Sequence, residues 1–278
     1  MNRLLAIELQ KIWKNRASRI LTISYFALLS SIALIASLKF DFGPIHFDIV
    51  KMGIFNFPYI WHFNTFFASW FKLFLAVIIV SMMSNEYTYG TLKQNLIDGM
   101  SKKEFILSKF FTVALFAFAS TIFVFIMTLI LGYSFSSYTE IGIVFSQMEY
   151  LLAFFVELLG FFSVCLFLGV LIRKSAFALG FLLIWKLFEG ICYLAMKWLL
   201  FDTWEKSYQA LGYFPLQSIS NLIAEPSRRL SAIKTAGNQA GFDMNYDYSI
   251  HLSSILIVLI YTVIFIYSSY IIIKKRDL

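Results

Sequence analysis

Five ionisable side chains stand inside long apolar runs: Lys72, Glu157, Lys186, Glu189 and Lys197. Charged groups at membrane depth are costly and are functional candidates by default. Two roles suit them. Opposite charges can pair and fix how helices meet, or they can offer a polar lining to a moving solute. Lys72 and Glu157 each fall roughly 10 Å from the outer end of their runs at a rise of about 1.5 Å per residue, so a pair between two helices is possible. Lys186 and Glu189 are three positions apart on one helix and can satisfy each other. Lys197 lies near enough to a helix end to snorkel and is given no role. Catalysis would instead need His, Cys, Asp or Glu clustered at one depth. His46 and His62 fall in the first outer loop and His251 opens the last apolar run. Neither H-E-x-x-H nor G-x-S-x-G occurs. Cys165 and Cys192 sit in apolar runs, which suits buried thiols better than a disulfide or zinc site. No cofactor or metal is expected, and the chain is not expected to be an enzyme.

The elements that must position these charges follow from composition. Of 278 residues, 60% are hydrophobic and only 14% charged, against about 45–50% and about 25% in soluble domains. Mean hydropathy is +0.76. This excess marks an all-α membrane protein. About 20 apolar residues cross a bilayer as a helix, and six stretches qualify: Ile20–Leu38, Asn64–Ser84, Phe110–Leu131, Tyr150–Ile172, Ser175–Phe201 and Ile250–Ile273. The first is longer than a signal h-region and follows a long polar segment, so it reads as an uncleaved anchor.

Basic residues set the orientation. They gather at Arg3, Lys11, Lys14, Arg16 and Arg19, at Lys93, Lys102, Lys103 and Lys109, at Arg173 and Lys174, and at Lys274, Lys275 and Arg276. The two short opposite loops hold only Lys39 and Lys51. Both termini are therefore expected inside, in a bacterial cytoplasmic membrane. The net charge of +7 flanks apolar runs instead of forming a patch, which argues against nucleic acid. Residues 1–19 place Leu5, Leu9, Ile12 and Trp13 at helical spacing among basic residues, as in an interfacial amphipathic helix or, alternatively, a frayed topology signal. Residues 202–249, rich in aromatics and broken by Pro215 and Pro226, fit short interfacial or re-entrant outer helices. The whole chain, 1–278, reads as one transmembrane domain.

Between the second and third runs lies "SNEYTYGTLKQNLIDGMSKKEF". Thr91 with Gln94, and Ser101 with Glu104, have capping-box spacing, so two helix starts are expected. Gly90 allows a sharp turn and Gly99 a helix stop. The intervening helix has an apolar edge of Leu92, Leu96 and Ile97 beside Lys93, Gln94, Asn95 and Asp98. Too short to stand alone, it must lean on lipid headgroups or enter a groove on a soluble partner.

This loop, residues 85–105, resembles that of permease subunits of type-2 ATP-binding-cassette (ABC) exporters. The matching positions are Glu86, Gly90, Thr91, Leu92, Lys103, Glu104 and Lys109. One departure is Gly99-Met100, where many members carry proline. The resemblance implies a coupling helix, including Lys93, Leu96 and Ile97, seated in a cleft of an ATPase. It also implies two ATPase copies and a second permease, identical or homologous, facing the first across the substrate path in lipid. No G-x-x-x-x-G-K-[ST] occurs, so ATP hydrolysis is assigned to a separate subunit. A membrane adaptor or immunity-type binding protein is the alternative, with an intramembrane enzyme behind it. The topology is open to a direct check with single cysteines in intact cells and a membrane-impermeant thiol reagent. Ser137→Cys should label from outside and Ser101→Cys should not; outside labelling at position 101 would overturn the orientation.

Overall fold

A computed structural model describes residues 2–37, 39–42, 45–48, 53–201, 203–230 and 247–276. Lys51, the end of the first run at Leu38, and positions 231–246 of the segment 202–249 lie outside the described residues. Helix α1 (Asn2–Lys14) breaks at Asn15, whose side-chain oxygen accepts the Ser18 N–H at 3.1 Å and so caps α2 (Arg16–Ser37). Strands β1 (Lys39–Phe42) and β2 (Ile45–Asp48) pair antiparallel, with Lys39 opposite Asp48. This small hairpin was not anticipated in an all-α chain.

The second apolar run is not one helix. It forms α3 (Tyr59–Trp70) and α4 (Lys72–Thr88), bent by 44°. No proline or glycine causes the break. Around Phe71 the backbone tightens to i→i−3 bonds, Phe71 N–H to Ala68 and Phe74 N–H to Phe71, while the Ser69 hydroxyl donates to the Phe66 carbonyl. His62, expected in a loop, is fully buried within α3.

Next come α5 (Thr91–Ile97), α6 (Lys102–Phe135), α7 (Ile141–Val144), α8 (Glu149–Ile172) and α9 (Ser175–Leu199). Short helices α10 (Trp204–Leu211) and α11 (Pro215–Ser220), a 3-10 turn at Ser227–Arg229 and α12 (Leu252–Lys275) follow. Among the described residues four helices are long and apolar enough to cross a membrane, and the bent α3–α4 pair passes the same measure as one broken span. At 34 residues, α6 is about 50 Å long, longer than a hydrocarbon core of about 30 Å is thick.

Helix α8 is the hub. Over its apolar stretch 83% of residues are buried, against 17% in α9, and it packs on α12, α4, α6, α9 and α3. Lipid is as apolar as leucine, so helices in a membrane associate through close packing, aided by small residues. A methyl group at Gly160 would lie 2.7 Å from Val258 Cγ1 on α12. One at Gly169 would lie 2.9 Å from Met83 Cβ and 3.3 Å from the Val80 carbonyl on α4. Gly169→Val should therefore push α4 off α8 and cost about 1–3 kcal/mol, read as a lower melting temperature in detergent. An unchanged melting temperature would mean that the α4–α8 contact is not as close as described.

Candidate functional site

The loop after α4 is built from four local devices. Gly90 takes φ +67° and redirects the chain into α5. Thr91 does not cap this helix as its spacing suggests: its hydroxyl donates to Glu86 Oε2 at 2.5 Å, and Gln94 turns to Asp98 at 3.0 Å. Gly99, at φ +96°, closes α5. The Gly99 N–H reaches the Leu96 carbonyl and the Met100 N–H that of Asn95, the paired bonds of a Schellman stop. Ser101 and Glu104 then form the expected capping box and open α6.

Beneath α5 lies a buried charge network. Lys109 Nζ donates to Glu86 Oε1 and to Glu8 Oε2, both at 2.5 Å. Lys11 Nζ adds bonds to Glu86 Oε1 at 2.9 Å and Glu8 Oε1 at 3.3 Å. Lys109 is fully buried, and Glu86 and Glu8 nearly so. Burial pulls the Lys11 ammonium down, but Glu86 and Glu8 outweigh it and hold the group above the ordinary lysine value. Two ammoniums face two carboxylates, so the cluster is neutral. It joins α1, the end of α4, the start of α5 and α6.

This arrangement corrects the expected orientation of α5. Leu92 is only 1% exposed and belongs to the protein's own core, with Leu96 packed against it. Leu92 cannot reach a partner while α5 stays seated, and Leu96 is only partly accessible. The open face instead carries Tyr89 (72% exposed), Lys93, Gln94 and Ile97 (78% exposed), with Lys103 and Glu104 exposed on the first turn of α6. A second tie comes from the other end of the chain. The Arg276 guanidinium donates to the Tyr87 hydroxyl at 3.0 Å and to the Val170 carbonyl at 2.7 Å. Lys102 Nζ donates to the Arg276 carbonyl at 2.9 Å.

Sequence reasoning missed Glu8, Tyr87 and Arg276. Glu8 carried a usable signal, being the only acidic residue in the basic segment 1–19. Arg276 looked like an ordinary topology charge.

Toward the other side, Lys72 and Glu157 form the expected interhelical pair at 2.6 Å, with Lys72 Nζ 5.0 Å from the centre of the Phe161 ring. Lys186 and Glu189 do not pair with each other. Lys186 Nζ donates to Gln217 Oε1 at 2.6 Å and Glu189 Oε1 accepts the Leu216 N–H at 2.9 Å. Both reach α11, whose exposed amide and Gln217 offer nearer partners. Lys72, Glu157 and Lys186 line one cavity of about 560 Å³ between α3, α4, α8, α9 and α11. Among the described residues no group of His, Cys, Asp or Glu is placed to hold a metal ion. Removing one member of a buried ion cluster strands the others and typically costs about 3–5 kcal/mol. Lys109→Met should therefore lower thermal stability sharply and expose α1 to proteolysis, and equal digestion of variant and wild type would contradict the network.

No curated protein matches the chain. The profile of one family, described as a protein of unknown function (DUF2705), matches residues 33–278, which include α3 to α12, the α5 loop and the lined cavity. The chain is a member of the DUF2705 family.

Proposed function

We propose that this protein is the transmembrane permease subunit of an ABC transporter of the exporting kind, driven by a separate ATPase that docks on residues 85–105. In this proposal α2, the α3–α4 pair, α6, α8, α9 and α12 are the six spans. Both termini face the cytoplasm, and two permease copies and two ATPase copies complete the assembly.

The observation that carries the proposal is α5 held rigidly on the neutral Glu8–Lys11–Glu86–Lys109 cluster. A seven-residue helix is unstable in isolation, yet this one is braced from beneath by buried ion pairs and capped at its C-terminal end. Its outward face presents an aromatic ring, a lysine and an isoleucine to the solvent side. Apolar anchors rimmed by polar groups are what a groove on a soluble partner binds. The missing P-loop supports a division of labour with another chain.

The competing reading is that Tyr89 and Ile97 dip into lipid headgroups, in which case the protein is a membrane adaptor. Ile97→Glu combined with Tyr89→Ser separates the two. Loss of central anchors costs about 2 kcal/mol or more, so recovery of the ATPase through a tagged permease should fall more than tenfold while membrane level and melting temperature hold. Leu92→Ala should instead destabilise the permease itself, by about 2–5 kcal/mol. Undiminished ATPase recovery with the first variant would refute docking on this face.

A further inference from the structure

The cavity between α3, α4, α8, α9 and α11 has a chemistry that the docking loop does not explain. Its walls are apolar, with Phe66, Phe161, Leu182 and Leu216 among them. Its rim carries Trp70, Leu73 and Leu183, all half exposed or more on the outer, lipid-facing surface. Inside that greasy frame sit three charges. Lys72 and Glu157 cancel each other at 2.6 Å. Lys186 donates to the neutral Gln217 amide and makes no ion pair with either. It is exposed, and it lies about 16 Å from the start of α9 at the rise of a helix. An ammonium exposed at that depth to bare hydrocarbon is costly. Glu189, three residues on, attracts it through space but makes no direct ion pair with it, because that carboxylate is buried and accepts the Leu216 N–H.

A second observation points the same way. Glu157 is 1% exposed and lines the cavity, and its Oε2 has no hydrogen-bond partner in the described structure. A buried carboxylate oxygen without a donor is costly. The cavity therefore presents one ammonium without a direct ion pair and one spare acceptor within apolar walls.

We propose that this cavity binds one anionic amphiphile, its acyl chain on the Phe66–Phe161–Leu182 wall and its anionic head on Lys186. A hydroxyl on the head donates to Glu157 Oε2. The head's phosphate or carboxylate supplies the direct ion pair that Lys186 lacks, and the chain covers the apolar rim. The site needs the membrane but neither ATP nor the docking partner, so it stands or falls separately from the transport proposal.

Native mass spectrometry of the purified full chain, released from neutral detergent, tests this with three probes: phosphatidylglycerol, oleate and phosphatidylcholine. Wild type should retain a single phosphatidylglycerol and take up phosphatidylcholine at least tenfold more weakly. Oleate, which has the charge but no hydroxyl, should fall between them; oleate binding as tightly as phosphatidylglycerol would remove the Glu157 hydroxyl contact from the proposal. Lys186→Gln should weaken phosphatidylglycerol at least tenfold, whereas Lys197→Gln, on the same helix but away from the cavity, should not. Leu183→Trp, which narrows the mouth without touching a charge, should also weaken it, and as a surface change it keeps the test valid if Lys186→Gln folds poorly. Equal retention of phosphatidylglycerol and phosphatidylcholine, or retention unaffected by both cavity variants, would overturn the site.

Discussion

A charge taken out of water must be matched, and in this chain that constraint fixes the parts that matter. Removing an ion from water costs several kcal/mol even after relaxation. Lys109 is nevertheless fully buried, which is tolerable only because Glu86 and Glu8 meet it from two other segments at 2.5 Å. Positions 8, 86 and 109 are far apart in sequence, and the full network closes only when α1, α4 and α6 are all in place. Thr91 extends the same condition to α5 through its bond to Glu86. Buried pairs of this kind contribute little net stability compared with apolar packing. Their contribution is geometric, since a misplaced helix leaves a bare charge.

The same rule shapes the opposite half of the molecule with a different outcome. Lys72 opens α4 immediately after the bend, and its bond to Glu157 ties that bend to the central helix α8. A straight helix through Phe71 would give Lys72 a different direction and break the pair. Lys186 and Glu189 draw α11 against α9 through Gln217 and Leu216, so a short outer helix is held by polar bonds where its own length would not hold it. The cluster around Lys109 closes through direct ion pairs; Lys186 in the cavity has a neutral amide as its hydrogen-bond partner.

The spans were legible because hydrocarbon thickness demands long apolar runs, and α8, α9 and α12 lie within a few residues of the expected limits. The Ser101–Glu104 box and the Gly99 stop were legible because capping is local chemistry. The Lys72–Glu157 pair was legible from depth alone. Three features were not. The bend at Phe71 leaves no proline or glycine to mark it, since it arises from a shift in backbone bonding. Thr91 and Glu189 each had a local partner in sequence but found a better one in space, Glu86 and the Leu216 amide respectively. The orientation of α5 was misread because amphipathic spacing reports that a face is buried, not what buries it. Leu92 lies against its own chain.

Why a helix at this position is braced by ions and not by leucines alone follows from where it sits. A short amphipathic helix at the membrane boundary has two places to put an apolar edge, the protein and the acyl chains. Both are apolar, so burial of Leu92 gains about the same free energy in either and cannot choose between them. A carboxylate has no such choice. Lipid tails offer Glu86 no donor, whereas Lys109, Lys11 and Thr91 together fill its two oxygens. Apolar contact thus provides the affinity of α5 for some dry surface, and the ion cluster selects the protein as that surface. The consequence is a helix whose exposed face, Tyr89 to Ile97, keeps one fixed direction relative to α4 and α6, which lipid anchoring alone would leave free to roll.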